Sequence, residues 1–323
     1  MVGLALPRAR GAAIVTALLI VALATTIVAA LFARQSGSVR MIENRLEGTQ
    51  ARWIERAAID WARIILRQDA RTSSTDHLGE PWAVPVAQTS VDTAVGAAGK
   101  LGERAQAAQL SGQILDMQGR FNLANVVPKG QVDPLEAASL RNLLTLVGQP
   151  AALAEPLIDR LRAATVAEPT ETPNQPAAPS PAPRKRPTAL PIRRAADLLT
   201  IAGFDATAVA ALEPFIIALP RPAPINVNTA AAEVIAARVP GMDLAQARAL
   251  VAKRERIPFR DLTDANQAVD PQSTVFSAER WAVTSSWFLV RGAVRYDRIE
   301  TRTDTLLERK SRDLVELVWQ DRY

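Results

Sequence analysis

Few side chains in this 323-residue sequence could carry covalent chemistry. There is no cysteine and a single histidine, His77. Disulfides, thiolate metal sites and a histidine zinc cluster are therefore excluded, and no serine or cysteine nucleophile motif accompanies His77. The bond best placed to be cut is the peptide bond between Gly11 and Ala12, which follows Arg8 and Arg10 and directly precedes a long apolar run. A second candidate is an anion site at Gly241 to Asp243, where a glycine turn joins two expected helices. Such a turn can offer backbone N–H groups and a helix N-terminus to a phosphate. Here Asp243 occupies the second glycine position, so a carboxylate stands where the anion would approach. Lys253, Arg254 and Arg256 lie at the far end of that helix. The motif reads as a structural or protein-docking hairpin, with a membrane-tethered DNA-binding protein as the alternative. The net charge of +5, which the loss of Arg8 and Arg10 would lower to +3, is no nucleic-acid signature by itself.

These positions must be held by the elements around them. From Ala12 to Ala33 there is no charged residue, proline or glycine, and a helix of that length rises about 33 Å, enough to cross a bilayer. A secretory signal has a shorter apolar core, followed by its cleavage site. Here the helical pattern continues past Arg34, so a cut is expected before the run; an uncut signal anchor is the alternative. Beyond the membrane Val39, Ile42, Leu46, Trp53, Ala57, Trp61 and Ile64 recur at mostly helical steps, with Glu43, Arg45, Glu47, Arg52, Glu55 and Arg56 mostly between them. This predicts an amphipathic stem to about Leu66, with Gly37 and Gly48 as its weak points.

Farther on, Gly79 and Pro81 interrupt regular structure, Val91 to Gly102 reads as a loop, and Leu110 to Asp116 as a strand. Trp82 and Phe121 are expected in the core. Asp133 and Pro134 open a helix that Gly148 ends, and a second helix runs from about Leu153 to Ala164. Residues 166–191 are dominated by Pro, Ala, Thr and Glu and cannot bury a core. Helices are expected over Ala195 to Ala202, Ala206 to Leu219, Ala230 to Val239 capped by Thr229, Leu244 to Arg256, and near Asp261 to Ala268. Strands are expected over Val283 to Val290, Ala293 to Thr301 after a turn at Gly292, and Leu314 to Trp319. A helical region would then sit inside an α+β domain whose sheet is completed after it.

Several stretches, in this order, resemble the minor pseudopilin K family of the type II, or general, secretion pathway. They are Arg10-Gly11-Ala12, Gln50-Ala51-Arg52-Trp53 with Ala57, Ala58 and Trp61, Leu78-Gly79-Glu80-Pro81-Trp82, Asp116-Met117-Gln118-Gly119-Arg120-Phe121-Asn122-Leu123 and Ile225-Asn226-Val227-Asn228-Thr229. The resemblance implies a pseudopilin fold: a long N-terminal transmembrane helix packed on an antiparallel sheet, with a large all-α, SAM-like or helix-hairpin-helix-like domain inserted before the last strands. The implied division is a prepilin-type leader (1–11), a transmembrane helix (12–33), a periplasmic stem (34–68), the first part of the pseudopilin domain (69–130), the inserted domain (131–270) with its Pro-rich linker (166–191), and the C-terminal strands (271–323).

Functionally, the resemblance implies a non-enzymatic subunit that nucleates and caps the tip of the periplasmic pseudopilus for export of folded proteins. A minor pilin of a type IV pilus is the alternative that shares the leader. Prepilin peptidase would cut after Gly11 and Ala12 would be methylated. The fifth mature position is Thr16, where most pseudopilins carry Glu. Expected partners are minor pseudopilins I and J, then H and the major pseudopilin, the peptidase, inner-membrane lipid and secreted substrates, with no nucleic acid. The chain would be single-pass in the inner membrane, N-terminus cytoplasmic and bulk periplasmic. Some family members bind calcium. The only acids in the matching region here are Asp159, Glu168 and Glu171, too few for six to eight oxygen ligands, so no metal or other cofactor is expected.

Overall fold

The computed structural model describes residues 10–90, 108–165, 187–296 and 299–323, with the side chains of all but 10–12, 36–40, 43 and 44. The expected leader over 1–9, the whole 91–102 loop and residues 166–186 of the Pro-rich linker lie outside them.

The apolar run and the amphipathic stem form one helix, α1 (Arg10–Thr72), continuous through Gly37 and Gly48 and longer than expected. Its segment Ala13–Gln35 is long and apolar enough to cross a membrane, and it is exposed throughout. Above it the buried positions are Ala51, Glu55, Ile59, Ala62, Leu66 and Asp69, steps of three and four that define one helical face. That face is not the predicted stripe. Ile42, Leu46, Trp53, Trp61 and Ile64 point outward, 40–67% exposed. Periodicity alone could not separate them, because the stem has two apolar faces and the one on its own sheet is built partly from alanines.

The sheet has five antiparallel strands in the order β1 (Val86–Ser90), β2 (Gln109–Asp116), β7 (Trp287–Tyr296), β8 (Ile299–Arg309), β9 (Val315–Arg322). Alternation along β7 divides the packing. Phe288 meets Ile59, Ala62, Leu66 and Trp82 under the stem, while Trp287 and Leu289 join Met117, Leu219 and Leu306 on the other side. Trp82 stands edge-on to Phe288, 5.3 Å between centroids. The predicted turn at Gly292 is absent: β7 runs straight through it, and Gly292 lies opposite Gly112 of β2. A Cβ on Gly112 would come within 2.8 Å of the Arg291 carbonyl oxygen, so glycine serves close strand approach there. Strand β1 had no counterpart in the sequence reading.

Between β2 and β7 the chain is mainly helical, and because Asp116 pairs with Phe288 it leaves and re-enters the sheet at one point. It carries β3 (Phe121–Asn122), α2 (Pro134–Leu146), α3 (Ala154–Ala164), α4 (Ala206–Leu212), β4 (Ile216–Ile217), β5 (Ile225–Asn226), α5 (Ala232–Arg238), α6 (Leu244–Arg256), α7 (Leu262–Val269) and β6 (Trp281–Ala282). The short strands pair in parallel, β3 with β4 and β5 with β6. Asp133, Asp205, Asp243 and Asp261 each accept a backbone N–H at a helix start. Residues 195–200 form a 3₁₀ helix. The helix expected to reach Leu219 ends at Leu212, ahead of Pro214. Phe121 and Trp281 belong to one apolar core shared by these helices.

Candidate functional site: a buried polar junction

Where the helical region meets the sheet, the chain buries a carboxylate. Asp116, the last residue of β2, accepts a hydrogen bond on Oδ1 from Gln118 N (2.8 Å). Its Oδ2 accepts three, from Thr229 Oγ1 (2.6 Å), Ser285 Oγ (2.6 Å) and Asn226 Nδ2 (3.1 Å). All four donors are neutral. Burial pushes the Asp116 carboxyl up to about 6, against the lowering effect of the Ser285 and Thr229 hydroxyls.

Thr229 was expected to cap the following helix. Its hydroxyl faces Asp116 instead, α5 starts two residues later than expected, and Ala231 takes the N-cap position without a side-chain bond. Gly119 makes the approach possible, since a Cβ there would lie 2.8 Å from Thr229 Oγ1 and 2.9 Å from Thr229 O. The two asparagines of Ile225-Asn226-Val227-Asn228-Thr229 clamp separate segments. Asn226 Nδ2 also donates to Asp76 O (3.0 Å) and Ser285 Oγ (2.9 Å), while Asn228 exchanges two 2.9 Å bonds with the backbone of Phe259. Asn122 and Asn125 do the same for residues 219–223.

A second layer ties the junction to the stem. Arg309 of β8 donates to Asp69 Oδ2 (2.9 Å), to both Asp76 oxygens (2.6 and 2.5 Å) and to Ser285 O (2.7 Å). Asp76 Oδ2 in turn accepts from Ser285 N (2.6 Å). Burial, then the Glu80 and Asp76 charges, push Asp69 up to about 7 in spite of Arg309. Asp69, Asp76 and Glu80 form the one group of three potential metal ligands among the described residues. They do not fit a cation: Arg309 already lies on two of them, and Glu80 Oε2 accepts from His77 N (3.0 Å) and Trp82 Nε1 (2.8 Å). Of the acids weighed for calcium, Asp159 is exposed and 3.9 Å from Arg162, and Glu168 and Glu171 lie outside the described residues.

Other expected sites fall elsewhere. Gly11 and Ala12 lie in the first turns of α1, their side chains outside the description. Thr16, exposed, donates from its hydroxyl to Ala13 O (3.1 Å). At the helical hairpin, Gly241 has φ +77°, and Asp243 and Gln246 cap one another's backbone N–H (2.8 and 2.9 Å). The Asp243 carboxylate thus closes that helix N-terminus to an anion. Lys253 is bonded to Ala268 O, and Arg254 is buried on Val227 O, its pKa pulled down to about 10 by burial. The sequence reading did not single out Asp69, Ser285 and Arg309, or the buried ion cluster of Glu136, Arg238 and Arg280. The signal available for the junction was the pair of polar motifs around Asp116 and Asn226.

Family profiles described as type II secretion system (T2SS) protein K match residues 119–221 and 225–282. The type II secretion system protein K of Pseudomonas aeruginosa is 30% identical over 307 residues, covering 92% of this chain and 88% of that protein. The chain belongs to the type II secretion system protein K family. The protein K of Pectobacterium carotovorum subsp. carotovorum is 29% identical, with 89% of each chain covered. In fold, this chain is similar to a chain of the crystal structure of the GspK-GspI-GspJ complex of enterotoxigenic Escherichia coli, with a TM-score of 0.63, 20% identity, and 87% and 98% of the two chains covered.

The junction predicts a pH signature. A raised carboxyl pKa means the folded state holds a proton that the unfolded chain has released, so this contribution to stability is present below about 4 and lost as pH rises to about 6. In urea unfolding of the detergent-solubilised chain, wild type should lose roughly 2–3 kcal/mol relative to Asp116→Asn across that window. A difference that stays constant or grows with pH would contradict the assignment.

Proposed function

We propose that this chain is a minor pseudopilin acting at the tip of the periplasmic pseudopilus, where it nucleates and caps the filament for export of folded proteins. The observation that carries this reading is the two-faced stem. One face of α1 is buried on its own sheet, while the other presents Ile42, Leu46, Trp53, Trp61 and Ile64 to solvent in continuation of the apolar span. An exposed apolar stripe of that length marks an interaction surface, and a parallel stem from a neighbouring subunit matches it in length and polarity. By analogy with the Escherichia coli complex, minor pseudopilins I and J are the neighbours, with H and the major pseudopilin below. Secreted substrates would meet the exposed tip.

In this reading the N-terminus is cytoplasmic, the bulk is periplasmic, prepilin peptidase cuts after Gly11, and Ala12 is methylated. A carboxylate in the apolar span is costly unless paired. A subunit with no neighbour above it has no amine to pair with, which accounts for Thr16 at the fifth mature position. The helices between β2 and β7 serve as an inserted, SAM-like helical domain in an architectural role, without catalytic, metal or nucleic-acid chemistry. A DNA-binding role is disfavoured by the capped hairpin and the internally bonded Lys253 and Arg254.

N-terminal sequencing of the membrane-extracted protein should return methylated Ala12; an unprocessed Met1 in cells with active prepilin peptidase would contradict the reading. Replacing Leu46 and Trp61 by Ser should reduce recovery of the complex with I and J and halt export. Its effect on unfolding should stay within about 0.5 kcal/mol per site, as expected for surface positions. Full assembly and normal secretion in that variant would sink the stem-packing reading.

A further inference from the structure

The stem and the last strand enclose a groove of about 500 Å³ whose charges are unbalanced. Four arginines line it, Arg52, Arg56 and Arg63 from α1 and Arg322 from β9, against two acids, Glu55 and Asp60. The acids are engaged. Buried Glu55 accepts from Arg322 Nε at 3.1 and 3.0 Å, and from Gln320. Asp60 accepts from Arg63 Nη1 (3.1 Å), and the same guanidinium also caps Val315 O (2.9 and 2.7 Å).

That leaves Arg52 and Arg56, one helical turn apart on an exposed face. Arg52 donates only to the Thr49 hydroxyl (3.1 Å), and Arg56 has no partner among the described residues. Between and beside them are Trp53, 67% exposed, and Leu317, 46% exposed. β9 is the edge strand of the sheet, and no further strand among the described residues closes the groove on its outer side. Two uncompensated guanidiniums one turn apart, flanking apolar surface, match carboxylates carried on a polypeptide. A lipid headgroup is out of reach: Arg52 is 17 residues beyond Gln35, about 25 Å up the helix and well past the screening distance of about 8 Å from the bilayer surface.

We infer that this groove is a docking site for an acidic segment of a neighbouring pseudopilin, whose carboxylates pair with Arg52 and Arg56 and whose apolar side chain covers Trp53 and Leu317. The inference rests on the proposed tip assembly and names the surface that selects the neighbour. It places electrostatic selection on the stem's flank, beside the apolar stripe through Leu46 and Trp61, with Trp53 at the border of the two.

The test uses the full chain in nanodiscs, titrated with purified I and J. Arg52→Glu with Arg56→Glu should weaken complex formation by about tenfold or more, because like charges then face one another. Wild-type affinity should fall between 50 mM and 500 mM NaCl, the Arg52→Gln with Arg56→Gln chain should lose most of that salt dependence, and the charge-reversed chain should show the opposite dependence, because salt screens its repulsion. Arg52→Gln with Arg56→Gln, which changes the fold least, should lie between the two. A photo-cross-linker at Leu317 should join the chain to I or J. Unchanged affinity and salt dependence in both double variants, or no cross-link at Leu317 while the complex forms, would overturn the groove assignment and leave the tip assembly standing. Failure of wild type to bind I and J would overturn both.

Discussion

The structure depends on one buried carboxylate that must find neutral donors. Asp116 ends β2 where the chain leaves the sheet, and its oxygens are satisfied only when Asn226 and Thr229 from the helical region and Ser285 from the returning segment arrive together. Leaving such a group unsatisfied costs about 1–3 kcal/mol per lost partner. The arrangement therefore couples segments more than a hundred residues apart in sequence. Arg309 extends the coupling through Asp76 to Asp69 near the end of the stem. Stem, sheet and helical region consequently share one polar centre.

That centre explains why the apolar cores can be separate. The helices between β2 and β7 have their own core, and the stem packs on the sheet through another. A small cluster of Met117 and Leu219 with Trp287, Leu289 and Leu306 joins the two bodies, but apolar contact is non-directional and by itself sets them side by side without fixing their mutual orientation. Directional bonds to Asp116, with Gly119 admitting the Thr229 backbone, define it. The outward stripe on α1 and the arginine-lined groove beside β9, the two surfaces proposed for assembly, are then held at fixed positions relative to the helical region.

Much of this was legible in the sequence where one residue type has one physical use. Asp133 with Pro134, Asp243 with Gln246, and the uncharged run from Ala12 announced the starts of α2 and α6 and the span. The two polar motifs were legible as distinctive, and their order carried the family. Other features were hidden because local signals have two uses. Gly292 could serve a turn or close strand approach, and only its partner Gly112 decides. Thr229 could cap a helix or donate to a distant carboxylate, and Asp116 wins because it is buried. The stripe through Trp53 and Trp61 was visible as apolar, but which face of α1 meets the sheet depends on Ala51, Ala62 and buried Glu55, whose fit is set by β9. The long-range bonds of Arg309 and Ser285 leave no local trace.

The central claim is that the Asp116 junction makes the helical region and the sheet one cooperative unit. Native-state hydrogen exchange on the full chain in nanodiscs tests it most directly, by comparing the most protected amides of α2 and α5 with those of β2 and β7. The account predicts that all four elements exchange through a common opening of the same free energy. Helical amides exchanging through a separate opening, distinctly lower in free energy than that of the sheet, would contradict it.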